Sequence, residues 1–422
     1  MVLLPYLSVI IVLVLVHLSV RYAVGPTVSV GDEGDYIRCG KQTDPYLPGV
    51  FLRVPFMAWM SKQAHRYSSN PERVLRSATG IASMVSIMVC MLSAQFIGGV
   101  HAALLTGLLL VAMPGRIILS GHIWPDIWLG LWLSLVCLVL VYPDLSSNVR
   151  TLLVGSVAAL AFITRFDALL LAPFAGFGLA PLPFLEWVFI LLPTLSVLSF
   201  LSIRNARRYR IPWPDTTWMF NIMIAAGETG KSKAHKVHVE EEVQKVLTVW
   251  QTLEYPGRLS TVIASLRSLF SRPIRAISGV LVRLWASLGP DSFVLHRLLP
   301  PDGSAYPRIS EKFNSALKIA LLVAFPLFIS MTILALLVVE PSLPPILWPT
   351  LAFATASLIH NRTRYRQAWL PGAALILVTA ISEPGFWSIL LSAGSTIKWL
   401  AAIALAISLV RFRTRPEKRE NP

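Results

Sequence analysis

The chain has 422 residues, 55% of them hydrophobic and only 14% charged, with a formal net charge of +15 and a mean hydropathy of +0.64. A soluble domain carries about 25% charged residues, so an ordinary water-soluble globule is excluded. Repeated apolar runs of about 17 to 25 residues indicate a polytopic helical membrane protein instead.

No alternating ten-residue pattern supports a barrel. The three cysteines, Cys39, Cys90 and Cys137, are too few for a disulfide framework. No Lys or Arg precedes the first apolar run, so residues 3–20 read as a retained first helix and not a cleaved signal.

In chain order, apolar runs predict spans near 3–22, 77–97, 99–114, 125–142, 151–164, 167–183, 184–203, 316–339, 343–359, 368–382 and 386–410. The expected fold is an all-α polytopic membrane protein with about 11 transmembrane helices, within a range of about 10–13. Two hydrophilic stretches interrupt the spans. The first, 23–76, is an acidic first loop expected to carry short surface helices. The second, 204–315, is expected to form amphipathic helices on the same face.

The chain therefore divides into an N-terminal transmembrane module (1–203), a membrane-surface region (204–315) and C-terminal helices with a basic tail (316–422). Within the surface region, Val239, Val243, Val246, Leu247 and Trp250 recur at helical spacing over 235–253. Residues 258–288 read as a basic helix, with Val262, Ile263, Leu266, Leu269 and Phe270 set against Arg258, Arg267, Arg272 and Arg275. Such a helix either lies in the membrane interface or packs on the rest of the loop.

If the spans alternate strictly, 30 of the 37 Lys and Arg residues fall on one face. The positive-inside rule would place that face in the cytoplasm. The alternative is that the cations serve polyanionic headgroups or phosphates.

The same face collects the unusual polar features. It holds Asp32, Glu33 and Asp35 with Tyr36, then the corner from Arg116 to Asp126 with His122 and Pro125. It also holds Thr164-Arg165-Phe166-Asp167, then Arg204-Asn205, and finally the run from His360 to Arg366. Ionisable groups near membrane depth cost at least about 2.5 kcal/mol and are usually functional or paired.

Carboxylates beside arginines suit transfer of a sugar from a lipid phosphate. Arginines stabilise the departing phosphate, and a carboxylate accepts the proton of the attacking hydroxyl. Plainer roles compete for each residue. The 32–35 cluster could be a solvated ion-pair surface. Arg165 and Asp167 could cap a turn, and Asp126 could favour a helix N-terminus. Tyr36 and Tyr365 could be interfacial anchors. His122 and His360 are too isolated to argue a metal site, and Asn361-Arg362-Thr363 lies hard against an apolar run, which discounts it as a sequon.

Phosphate-loop, dinucleotide, HExxH and paired CxxC motifs are absent. Gly227-Glu228-Thr229-Gly230-Lys231-Ser232 ends like a phosphate loop but lacks the first glycine at the required spacing. No aromatic-interleaved basic platform suggests nucleic acid as a partner.

Four stretches in order resemble the C-type (GT-C) membrane glycosyltransferases that use polyprenyl-phosphate sugars. That group includes protein O-mannosyltransferases and lipid A aminoarabinose transferases. The stretches are Asp32-Glu33 with Tyr36 followed by Pro45-Tyr46-Leu47-Pro48-Gly49; Ser202-Ile203-Arg204-Asn205; Phe220-Asn221 through Gly227-Glu228; and Arg364-Tyr365-Arg366 followed by Pro371. Glu228 departs from the family's Gly-Asn.

The resemblance implies an inverting, mannosyltransferase-like transferase with Asp32 as base and Glu33 orienting it or binding a metal, so a divalent ion is a candidate cofactor. It also implies donor-phosphate contacts at Arg165, Arg204 and Arg364. Tyr36, His122 and Tyr365 are candidate substrate contacts. The implied partners are a polyprenyl-phosphate sugar donor, membrane lipids and a lipid, glycan or protein hydroxyl acceptor.

The implied location is a bacterial plasma membrane with the active face exoplasmic, or the endoplasmic reticulum of a eukaryote. That orientation opposes the charge count. A transporter or flippase of an anionic lipid-linked glycan is the rival reading. It explains the cations but not acids clustered in a surface loop, away from a midplane pathway.

Overall fold

A computed structural model of the chain describes residues 11–19, 33–42, 54–230, 239–274, 276–278, 280, 288, 311–338, 344–359, 363–383 and 386. Among them every regular element is helical. The expected span at 386–410 and the basic tail lie outside the described residues but for Phe386.

The first helix, α1, covers residues 11–19. A short helix, α2 (Glu33–Cys39), follows in the first loop. Next come α3 (Pro55–Tyr67) and α4 (Pro71–Val111). Asn70 caps α4 by accepting from Arg73 N at 3.0 Å, and Pro71 stands at its start, where a missing N–H costs nothing.

At about 1.5 Å per residue, 41 residues would run about 60 Å, twice the hydrocarbon thickness. The helix does not run straight. Gly98 (φ −132°) and Gly99 (φ 71°, ψ −158°) break it, and the second arm folds back along the first. Residues equidistant from Gly99 therefore face each other. A methyl on Gly107 would come within 2.7 Å of Met91 Sδ. Arg116 Nη2 donates to Ser83 O at 3.5 Å, and Arg76 Nη1 donates to Gly121 O at 3.1 Å. The return arm thus includes α5 (Pro114–Ser120). The separate runs 77–97 and 99–114 correspond to its two limbs.

Helix α6 (Pro125–Val141) leaves the corner at 121–124 at 114° to α5. It runs beside the first limb of α4, where Ser86 Oγ lies 2.8 Å from Ser134 Oγ and Cys90 Sγ donates to Ser134 Oγ at 3.2 Å. Helix α7 (Ser147–Thr164) returns. A 3-10 turn, Phe166–Leu170, and α8 (Leu171–Leu179) lead away again, and α9 (Phe184–Tyr209) comes back and extends past the apolar run.

Among the described residues four helices are long and apolar enough to cross a membrane: Pro71–Val111, Ser147–Thr164, Phe184–Tyr209 and Ser315–Leu336. On α4 the residues Ile81, Val85, Met88, Leu92 and Phe96 stay exposed at helical spacing. A stripe of that kind would aggregate in water and fits lipid. The opposite side buries small residues, Ala82, Ser83, Ser86, Cys90, Ser93 and Ala94, which let neighbouring backbones approach closely. All three cysteines are buried, and none is in a disulfide.

After α9 come α10 (Thr217–Gly230), α11 (Val239–Thr252) and α12 (Tyr255–Phe270). They share a small core of Met219, Phe220, Met223, Trp250 and Val262. Helix α11 carries the periodic residues Val239 to Trp250 of the helix expected over 235–253, of which 235–238 lie outside the described residues. The helix expected over 258–288 is not continuous. It stops at Phe270, where Ser271 N and Arg272 N turn back to the carbonyls of Arg267 and Leu269, and helix resumes at Pro273. The proline is the physical reason, since it has no N–H to continue the ladder. Helices Glu311–Val338, Pro344–Ile359 and Leu370–Ser382 complete the described chain.

Candidate active site

One end of the helices gathers the corner 121–126, the start of α4, the end of α7 and the turn Thr363–Ala368. Pairings across the chain fix this end: Arg76 with Gly121, Asp126 with Arg165, and the carbonyl of Gln367 close against Gly130. Gly98 against Ser382 and Arg150 donating to Tyr142 O mark the opposite end.

Helix α2 brings the first-loop acids to the former end. Its apolar side seats Tyr36 among Met57, Ala64, Leu75 and Ile123. The backbone after it pins to α3, where Ser61 Oγ accepts from Gly40 N at 2.9 Å and donates to Ile37 O at 3.1 Å. Gly40 lies so close to His65 and the Ser61 carbonyl that no side chain fits there.

Glu33 is fully buried and projects into the corner. Its Oε1 accepts from Ile123 N at 2.6 Å and lies 3.4 Å from Arg76 Nη1. Its Oε2 accepts from His122 Nδ1 at 3.0 Å, so the imidazole carries its hydrogen on Nδ1. A buried carboxylate is costly unless paired and hydrogen-bonded, and here both oxygens are satisfied. Burial pushes its pKa up. The hydrogen bond and charge of His122, the charge of Arg76 and the Ile123 N–H outweigh that, so the carboxyl titrates below its ordinary value of 4.5.

Arg76 also bonds Glu72 Oε1 through Nε at 3.0 Å and Nη2 at 2.7 Å. It therefore couples the first turn of α4 to the corner. His122 Nε2 is buried with no hydrogen-bond partner among the described residues.

A second ion cluster adjoins the corner. Arg165 bonds Asp126 Oδ1 through Nη1 at 2.6 Å and pairs with Asp167 Oδ2 through Nε at 2.6 Å. The pair ties the start of α6 to the end of α7. Beside it, Trp132 Nε1 donates to Thr164 Oγ1 at 2.8 Å. Phe56 and Trp59 of α3 form an aromatic group with Trp128 and Trp132 of α6.

Of the residues expected to form the site, Glu33 and His122 come together directly, and Tyr36 supports them as a core anchor. Asp32 lies outside the described residues, immediately before Glu33 in sequence. Arg165 stands at this end with two carboxylates beside it. Arg204 spends Nε and Nη2 on Asn205 Oδ1 at 3.0 and 2.8 Å, while Asn205 holds Trp213 O. Arg364 and Tyr365 lie on the turn Thr363–Ala368, and their side chains lie outside the described residues. Their neighbour Arg366 is buried, 3.6 Å over the Phe325 ring.

Glu33 does not fit a metal ligand. Its oxygens face an N–H, an imidazole N–H and a guanidinium, and a cation there would meet Arg76. Among the described residues no group of three His, Cys, Asp or Glu side chains could hold a metal ion.

Sequence reasoning missed Arg76 as a member of the site. Its one local signal is the Glu72–Arg76 spacing of four on a helix. Arg116 was noted only as the start of the corner. It is in fact fully buried, with Nε and Nη1 unpartnered among the described residues.

No protein-family model matches the chain, and no curated protein matches it. Among solved structures it is similar to the archaeal oligosaccharyltransferase AglB from Archaeoglobus fulgidus, in complex with an inhibitory peptide and a dolichol-phosphate. The TM-score is 0.49 at 15% identity, over 98% of this chain and 57% of that one. It is also similar to ArnT from Cupriavidus metallidurans, in the apo state (TM-score 0.41, 16% identity, 90% of this chain and 78% of that one). The undecaprenyl phosphate-bound form gives 0.39 at 17% identity, over 88% and 77%. This chain thus spans little more than half the length of the archaeal protein. Nothing about its chemistry follows from likenesses of this size.

Proposed function

We propose that this chain is an inverting glycosyltransferase that moves a sugar from a polyprenyl-phosphate donor to a hydroxyl acceptor. The observation that carries the reading is the seat of Glu33. A fully buried carboxylate with every oxygen partnered fixes the first acidic loop onto the 121–126 corner, at the membrane end that also holds Arg165. Asp32 adjoins Glu33 in sequence and is the base. Glu33 holds its loop and performs no proton transfer.

In the reaction the acceptor oxygen bonds the anomeric carbon from the face opposite the phosphate. The bond from that carbon to the phosphate oxygen breaks, Asp32 takes the acceptor's proton, and the lipid phosphate leaves with the electron pair. One base suffices for inversion. The arginines of this face supply the positive field for the departing phosphate. Arg204 and Arg364 are its proposed contacts. Arg165, charge-compensated by Asp126 and Asp167, keeps α6 and α7 in register and offers the phosphate a weaker pull.

The test is transfer from a lipid-phosphate sugar in proteoliposomes. Asp32→Asn should reduce turnover roughly 10²–10⁴-fold, the usual contribution of a general base, with the protein still folded in the membrane. Undiminished turnover would sink the assignment. Passage of an intact donor across the bilayer, with no label leaving the lipid, would replace the enzyme with a transporter.

A further inference from the structure

From Tyr255 to Pro290 the chain carries five arginines, Arg258, Arg267, Arg272, Arg275 and Arg283, and neither Asp nor Glu. One of the five is internal to the loop: Arg258 lies 4.6 Å over the Trp250 ring and donates to the carbonyls of Trp250 and Leu253. Arg267 and Arg272 are exposed.

The apolar residues divide the same way. Val262 is buried against α10 and α11. Ile263 and Phe270, seven residues apart and so on one side of α12, are 44% and 79% exposed. Past the turn at 271–272, Ile274 and Ile277, three apart on the resumed helix, are 83% and 59% exposed. Large apolar side chains left in contact with water beside cations mark a surface that is covered in the working protein.

Both ends of this region are tied to helices apolar enough to cross a membrane, Phe184–Tyr209 before it and Ser315–Leu336 after it. Seven residues from Arg210 to Thr217 reach at most about 25 Å, so α10 begins close to the end of the spanning helix α9. The bilayer is therefore the apolar medium within reach, and its anionic headgroups match the exposed Arg267 and Arg272.

We propose that the end of α12 and the helix beginning at Pro273 form a docking surface for anionic phospholipid. Phe270, Ile274 and Ile277 enter the acyl boundary, and Arg267 and Arg272 meet the headgroup phosphates. This surface does not depend on the chemistry assigned to the acidic loop.

The experiment uses the full chain with Ile274→Cys, and separately Ile277→Cys, carrying an environment-sensitive fluorophore. Cys39, Cys90 and Cys137 are buried and do not compete for label. The protein is reconstituted in phosphatidylcholine alone and in an equal mixture with phosphatidylglycerol. In the mixture, lipid with brominated tails should quench the label and iodide should not. Adding Arg267→Gln and Arg272→Gln should return the label to iodide in the same vesicles.

Iodide quenching in both lipids would overturn the proposal. So would equal burial in both lipids, which would leave the arginines without a role. Protection that follows protein density instead of lipid composition would mean that a second copy covers the surface, and would overturn it as well.

Discussion

At the scale of single residues, Glu33 does most to decide what the first loop is. Replacing it by Gln keeps an acceptor for Ile123 N but removes the charge facing His122 and Arg76. We expect a loss of about 1–3 kcal/mol. Glu33→Ala, which leaves Arg76 and His122 facing an empty site, should cost about 3–5 kcal/mol. Thermal unfolding in detergent measures both, and unchanged melting in both variants would remove the pin.

The pH dependence has a definite sign. The folded carboxyl titrates below its ordinary 4.5, so its contribution is fully present above that value. It is lost as pH falls through the lower folded value. Wild type should converge on Glu33→Gln in that acid window and exceed it above. Parallel curves throughout would mean that the carboxylate carries no stabilising charge. The acidic pair itself was legible from sequence. Its partners were not, because Glu33 meets His122 and Arg76 only through packing of α2 and α4 against the corner, and no periodicity connects residues so far apart in the chain.

At the scale of elements, α4 is the instructive case. Its two limbs stand side by side only because Gly99 holds φ 71° and ψ −158°, a region essentially closed to other residues. A methyl there meets no atom within 4 Å, so Gly99→Ala isolates backbone strain from steric clash. The expected cost is about 1–3 kcal/mol, read as a lower melting temperature in detergent. An unaffected melt would show that the hairpin tolerates another turn.

Hydropathy separated the limbs at this point, since a run of this length cannot be one span. Pro273 is equally legible in the sequence as a break, although the basic–apolar alternation continues on both sides of it. The break matters, since it gives Ile274 and Ile277 a helix of their own, apart from the packed part of α12.

At the scale of the molecule, contacts place Arg76, Gly121, Asp126 and Arg165 at one membrane end and Gly98, Tyr142, Arg150 and Ser382 at the other. The loop after α9 leaves from the former end, because α7 approaches it, α8 departs and α9 returns. Lys41→Cys and Thr252→Cys, both at exposed positions, should therefore react with a membrane-impermeant reagent from the same side of sealed vesicles. The resemblance in sequence implies that this side is exoplasmic. Labelling from opposite sides would break the topology. Labelling of both from the cytoplasm would uphold the positive-inside count and remove the exoplasmic assignment.

Sequence alone determined that the chain is helical and built around apolar spans, because a 30 Å hydrocarbon layer writes itself directly into runs of apolar residues. It also marked the acidic first loop, since three carboxylates in so poorly charged a chain stand out without any structure. What only the tertiary structure decided is what those charges do. Glu33 is buried and bonded, Arg165 is held between two acids, and Arg366 lies on an aromatic ring. Each outcome depends on which helices meet, and a charge reads the same in sequence whether it faces water, a partner or a substrate.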